Sequence, residues 1–170
     1  MLKLLRGTCV MMTVAGLSAC MNVTAPTEAM SFAATTPVAP KVDLTIPLQS
    51  NETQDLRALI QKYAALYDIP ESLLHRVIKR ESTYNPGARN GPYYGLMQIL
   101  PATARGMGFK GEPSDLLDAE TNLKYAGKYL RGAWMLSDGS EATAVKWYSQ
   151  GYYYEAKRRG MLVATGLRKA

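Results

Sequence analysis

Between Pro70 and Ser82 the chain reads Pro-Glu-Ser-Leu-Leu-His-Arg-Val-Ile-Lys-Arg-Glu-Ser, and the placing of its apolar residues limits what it can become. Leu74, Val77 and Ile78 fall at i, i+3 and i+4, the spacing of one face of an α-helix, and Glu81 follows at i+7 on that face. Three of these positions need a core to pack against. The fourth carries a carboxyl group, while Lys79 and Arg80 fall off the stripe. A carboxylate at the margin of an apolar stripe is partly stripped of water, which disfavours its charged form and raises its pKa. So placed, it can hold a proton near neutral pH and deliver it as a general acid. The competing reading is a glutamate at a frayed helix end, turned to water or paired with Arg76 or Arg80.

Helical spacing recurs on both sides of this stretch. Leu56, Leu59, Ile60, Tyr63 and Tyr67 make a preceding helix, with Asn51 and Gln54 in a capping-box pattern at its start. Asp68-Ile69-Pro70 ends it, and Pro70 suits the first turn of the next helix. Asn85-Pro86-Gly87 is a stop and turn, and Arg89 to Tyr94 is a loop by composition. Gly95 to Leu100 is too short and apolar to assign. Pro101 opens another helical turn, with loop from Gly106 to Pro113. Asp118 caps a helix reaching about Met135, with Leu123, Ala126, Leu130 and Trp134 inward. Ser140 caps another with Ala144, Val145 and Tyr148 inward, and Tyr152 to Gly160 makes a last one. The basic tail carries no pattern. No run alternates at period two, so the expected fold is all-α, one domain over residues 52–170.

The first twenty residues predict export. Lys3 and Arg6 form a positive start, and the mostly apolar run Gly7 to Ala19 leads to Leu17-Ser18-Ala19-Cys20. That run of 13 residues falls short of the roughly 18 to 20 that span a bilayer. Leu-Ser-Ala-Cys resembles the lipobox of bacterial lipoproteins, in which the cysteine becomes the lipidated first residue. Residues 1–19 are then a leader, and Cys9 leaves with it. Cys20 remains as a lone thiol, for which lipidation gives a reason; the alternative is an ordinary secretory signal with Cys20 incidental. Residues 20–51, rich in Thr, Ala and Pro, read as an extended linker with a reach on the order of 30 Å.

Composition narrows the partners. Loss of Lys3 and Arg6 lowers the net charge from +6 by two, to +4. This suits an acidic polymer or a plain solvated surface equally well. No nucleic-acid partner is expected. One His and one remaining Cys cannot close an N/S ligand set, so neither a metal nor another cofactor is expected. His75, off the Glu81 stripe beside Lys79, is expected at the surface.

The order of motifs carries more. Glu81-Ser82-Thr83-Tyr84-Asn85-Pro86, then Gly95-Leu96-Met97-Gln98-Ile99, then Asn122-Leu123 through Tyr129-Leu130, then Ala144 to Gly151 closely resemble the soluble lytic transglycosylases. These are peptidoglycan-cleaving enzymes with a goose-lysozyme-like helical fold. The resemblance puts the catalytic acid/base on Glu81, beside Ser82. Gln98 matches a glutamine lining the sugar cleft, Tyr148 a tyrosine near the acid, and Gly95 a point where the chain passes close to the glycan. Two departures stand out. Tyr93-Tyr94 replaces a small residue before Gly-Leu-Met-Gln, and Tyr148-Ser149-Gln150-Gly151 replaces Tyr-Asn-Ala-Gly. Both bear on cleft shape and neither touches the acid.

Glycoside cleavage usually employs two carboxylates. Asp118 and Glu120 have cap and dipole roles at a helix start, which leaves Glu155, among tyrosines, as the only loose second candidate. A single acid suffices if the substrate supplies the other group. The resemblance implies this course: Glu81 protonates the bridging oxygen between N-acetylmuramic acid and N-acetylglucosamine, and the muramoyl N-acetyl group steadies the developing charge. Glu81 then takes the proton of the sugar's own 6-hydroxyl, closing a 1,6-anhydro ring. Tyr93 and Tyr94 are expected to stack on sugar faces in the cleft, and Tyr152 to Tyr154 to pack in the core. A muramidase that admits water to the same site, and a non-catalytic peptidoglycan-binding lipoprotein, remain as alternatives. The expected setting is the bacterial cell envelope: periplasmic, lipid-anchored, the outer membrane ranked ahead of the inner. A wall-crossing secretion apparatus is one conceivable, unnamed client.

Overall fold

Helix α4, Ala119–Met135, is the spine on which the other elements pack. Asp118 starts it by accepting a hydrogen bond from the Thr121 amide at 2.8 Å, as an N-cap should. Its inner residues Leu123, Ala126, Leu130 and Ala133 are fully buried. The computed structural model that shows this describes residues 47–169. The expected leader, the lipidation site Cys20 and nearly all of the linker lie outside the described residues.

Helix α1, Gln54–Tyr67, lies against α4 and presents Leu56, Ile60 and Tyr63 to it. Its N-cap is Thr53, whose hydroxyl accepts from the Leu56 amide at 3.1 Å. Asn51, expected there, has φ 67° and donates its side-chain amide to the Thr83 carbonyl instead. Asp68 closes α1 in the left-handed conformation, and Pro70 stands at the N-cap of α2, Glu71–Glu81. Leu74, Val77 and Ile78 are buried as their spacing requires, joined by Leu73.

The segment after α2 departs from an all-helical reading in detail. Arg89–Asn90 (β1) and Tyr93–Tyr94 (β2) pair antiparallel as a minimal hairpin, where composition suggested only loop. Two-residue strands are too short to show a period. Tyr94 also bridges Ile99, which folds residues 95–98 into a tight turn. Helix α3, Pro101–Gly106, follows, and Pro113–Leu117 forms a 3-10 turn where loop was expected. Helix α5, Glu141–Gln150, is capped by Ser140 and packs on α4; α6 spans Tyr153–Arg158. The tail is not featureless, since Thr165 is buried and Leu162 and Leu167 pack on the core. The fold is all-α but for the hairpin.

A buried ion pair secures the entry to this domain. Arg57 donates from Nε to Glu52 Oε1 at 2.7 Å and from Nη2 to Oε2 at 2.8 Å. Glu52 also accepts from the Gln49 amide, and Arg57 reaches the Pro47 carbonyl. Among the described residues, contacts to the domain thus reach back to Pro47. His75 belongs to the same cluster and not to open surface. Its Nδ1 shares a 2.8 Å hydrogen bond with the Tyr84 hydroxyl, and Nε2 lies 3.2 Å from Glu71.

Burial pushes the Glu52 carboxyl up, but Arg57, the Gln49 amide and His75 together hold it below the ordinary range. Removing one partner of a buried pair leaves an uncompensated charge, so Arg57→Met should cost about 3–5 kcal/mol in urea denaturation. Because the folded pKa is depressed, the pair's stabilisation should be complete above the ordinary glutamate pKa and fade as pH falls through the lowered one. Denaturation midpoints measured from pH 7 down to 3 should fall more steeply in the wild type than in Arg57→Met, which keeps only the acid loss of the other depressed carboxylates.

Candidate active site

Glu81 closes α2, and the stripe beneath it explains its setting. With Val77 and Ile78 buried one turn back, the carboxyl sits at the rim of the core with its side chain 23% exposed. Its one charged neighbour among the described residues is Arg80, with Nε 3.6 Å from Oε1. Arg76 turns to Glu141 instead. Burial pushes the Glu81 carboxyl above its ordinary value, and the Arg80 charge only partly opposes this.

Glu81 lines a hollow of about 350 Å³. Arg80 flanks it, Asn90 and Tyr93 of the hairpin form one wall, Gln98 lies between, and Tyr148 and Ser149 of α5 close the other side. Tyr93, Gln98, Tyr148 and Ser149 also line an adjoining hollow of about 260 Å³, which runs on past Tyr129, Thr103, Gln150 and Gly151. The two make one cleft with an acid at one end and tyrosines along it. Neither lining contains another carboxylate. Glu155, the loose second candidate, is held down to about 2 by Arg158 and Arg159 and lies outside both hollows.

The cleft is built on a clamped turn. Asn122 of α4 is fully buried and uses its whole amide. Its Oδ1 accepts from the Met97 amide at 2.9 Å, while Nδ2 donates to the Tyr94 carbonyl at 2.9 Å and the Leu116 carbonyl at 2.8 Å. The Met97 carbonyl in turn accepts from the Tyr148 hydroxyl at 2.7 Å. Tyr148 therefore spends its proton on the backbone. Burial above all, with the Glu81 charge and the Tyr129 and Tyr152 rings adding, pushes its hydroxyl well above the usual range, so it stays a donor.

The residues singled out in the sequence divide accordingly. Glu81, Gln98, Tyr148 and Tyr93 come together at the cleft. Gln98 does so with φ 46° and its Nε2 donating to the Ala88 and Gly95 carbonyls, so its amide nitrogen is tied to the loop. Ser82 turns its hydroxyl back to the Ile78 carbonyl. Tyr94 packs inward under the Arg89 guanidinium, 4.8 Å from its ring centre, and is not on the lining. Gly95 lies beneath the cleft rather than on it. With φ 74°, a Cβ there would fall 2.2 Å from both Asn122 Nδ2 and the Leu116 carbonyl. Of the three late tyrosines, Tyr152 packs in the core as expected, but Tyr153 is 50% and Tyr154 83% exposed.

Asn122 had only a place in a motif, yet its signal was present. It shares a face with Ala126, Leu130 and Ala133, a polar residue on an apolar stripe exactly as informative as Glu81 on its own. Asn90, Thr103 and Tyr129 had no such signal, because tertiary folding alone brings them to the cleft. Asn122→Leu should leave the Met97 amide and the Leu116 carbonyl unpaired, at about 1–3 kcal/mol each, while the Tyr94 carbonyl keeps its bond from the Ile99 amide. The checks are a lowered thermal midpoint and faster hydrogen exchange at the Met97 amide.

Comparison with known proteins gives this geometry a family context. The family model described as the transglycosylase SLT domain matches residues 58–159. The soluble lytic murein transglycosylase of Escherichia coli K12 is 34% identical over 80 residues, covering 43% of this chain and 12% of that protein. The membrane-bound lytic murein transglycosylase C of Yersinia pestis (strain Pestoides F) is 38% identical over 80 residues, covering 42% of this chain and 22% of that protein. The chain thus spans a small part of the length of these relatives. No solved structure matches it.

Proposed function

The chain belongs to the transglycosylase SLT domain family, and from that premise we propose that it is a peptidoglycan lytic transglycosylase working through Glu81 alone. The observation that carries the reading is a single desolvated carboxyl at the end of a tyrosine-lined cleft whose lining holds no second acid. A hydrolase of the usual kind needs a partner carboxylate about 5–10 Å away as nucleophile or base. Here the substrate supplies that function.

Glu81 begins protonated and gives its proton to the oxygen joining N-acetylmuramic acid to N-acetylglucosamine. As that bond breaks, the muramoyl N-acetyl oxygen stabilises the positive charge at the anomeric carbon. The glutamate, now anionic, removes the proton of the muramoyl 6-hydroxyl. That oxygen bonds to the anomeric carbon and closes the 1,6-anhydro ring. Proton and electrons balance without water, and Glu81 returns to its starting state. Tyr93 stacks on a sugar face, Gln98 offers the cleft the amide oxygen that its loop bonds leave over, and Tyr148 holds the Met97 turn while facing the acid. Ser82 and Gly95 shape the site from behind, and Tyr94 supports the hairpin. In the same reading residues 1–19 are a leader, Cys20 carries the lipid, and residues 20–51 tether the domain to an envelope membrane facing the peptidoglycan.

Glu81→Gln should lower release of soluble muropeptides from purified peptidoglycan at least about 100-fold while the thermal midpoint holds. Mass spectrometry of the wild-type products decides the chemistry. Fragments one water lighter than reducing-end muropeptides support the ring closure, and fragments at the full reducing-end mass overturn it in favour of a muramidase. The pH profile should follow the acid. Activity should persist above the ordinary glutamate pKa and fall as pH rises through the raised one. Arg80→Ala, which removes the opposing charge, should move that falling limb of kcat/KM to higher pH.

A further inference from the structure

Two tyrosines on α6 are exposed without a structural reason. Tyr153 and Tyr154 stand half-exposed and largely exposed, their ring centres 5.5 Å apart at 85°. Aromatic rings normally bury their faces, and an exposed pair of them marks a surface that meets something. Their place in the chain says what. Gly151, which ends α5, lines the far hollow of the cleft. Tyr152 turns inward and stacks on Tyr129, a lining residue of that same hollow, at 4.7 Å. Tyr153 follows, its Cα within about 7 Å of that of Gly151 by chain length alone. The exposed pair therefore follows directly on residues that line or back the far hollow, the one without Glu81 on its lining.

The cleft cannot hold its substrate whole. Hollows of about 350 and 260 Å³ accommodate a few sugar rings, whereas a glycan strand continues past both ends. Resting on the proposed reading of the cleft, we propose that Tyr153 and Tyr154 form an outer saccharide subsite that stacks on sugars of the strand beyond the far hollow. The occupant is a β-1,4-linked N-acetylated hexosamine. Its apolar ring face lies on one tyrosine, and the perpendicular ring borders its edge. Such a platform does no chemistry. It lengthens the grip on the strand, so its contribution grows with substrate length.

The test uses binding rather than turnover, so that it stands apart from the mechanism. Full-length Glu81→Gln protein is titrated by calorimetry with β-1,4-linked N-acetylglucosamine trimer and hexamer, with and without Tyr153→Ala and Tyr154→Ala. The expected result is weaker binding of the hexamer in each tyrosine variant, by about three- to tenfold, with trimer binding unchanged. Tyr154→Phe should retain hexamer affinity. Equal loss for trimer and hexamer, or no loss for either, overturns the outer subsite. Both rings are exposed, so circular dichroism and thermal midpoints should match the parent. The cleavage assay reads separately. If wild-type protein releases anhydro products while the tyrosine variants bind the hexamer normally, the platform fails and the transglycosylase reading stands. If wild-type protein cuts nothing, that reading fails whatever the tyrosines do.

Discussion

The amide of Asn122 decides where the cleft floor lies. Its three hydrogen bonds go to the Met97 amide, the Leu116 carbonyl and the Tyr94 carbonyl, the last of which also accepts from the Ile99 amide. A turn running through a protein interior leaves polar groups that cost free energy unless paired. One side chain on the central helix settles two of them and adds a second bond to a third. Gly95 can approach this amide closely because it lacks a Cβ. The Met97 carbonyl then serves as the anchor for Tyr148, so the spine helix, the turn and α5 are joined through a single residue.

Glu81 is held by a different force. Among the described residues no hydrogen-bond donor fixes it, and its position follows from the apolar face of α2 pulling the helix end into the core. Burial raises its proton affinity, and the exposed neighbour Arg80 only moderates the effect. The site therefore separates its two tasks. Hydrogen bonding sets the shape of the cleft, and desolvation sets the chemistry of the acid. The absence of a second carboxylate from the lining fits a reaction in which the sugar completes the constellation itself.

Much of this was legible in residue spacing. Stripes of period 3.6 gave four of the helices, and caps at Asp118 and Ser140 fell where hydroxyl or carboxylate side chains precede apolar runs. Glu81 was visible as a polar break in a stripe; Asn122 breaks its own stripe in the same way, but only its place in a motif marked it. What stayed hidden depends on distance in three dimensions. Two-residue strands have no period, and the 3-10 turn is too short for one. Thr53 outcompeted Asn51 because Asn51 is drawn to the Thr83 carbonyl, 32 residues ahead. His75 looked solvent-facing on its own helix, but the segment before α1 folds over it with Glu52 and Arg57. Tyr93 and Tyr94 alternate across a strand, so only one can face the cleft. Three tyrosines in a row carry no period that tells which one turns inward, and only Tyr152 does.

The bidentate Glu52–Arg57 pair also has a mechanical meaning. Tension in the chain ahead of Pro47 enters the domain at this clamp, since Arg57 grips the Pro47 carbonyl as well as Glu52. Load then divides. Part runs into α1, and part passes through Asn51 to Thr83, two residues past Glu81. A pull from the leading end is thus borne by two short charged bonds acting together, out of water, before it can disturb the helix end that carries the acid.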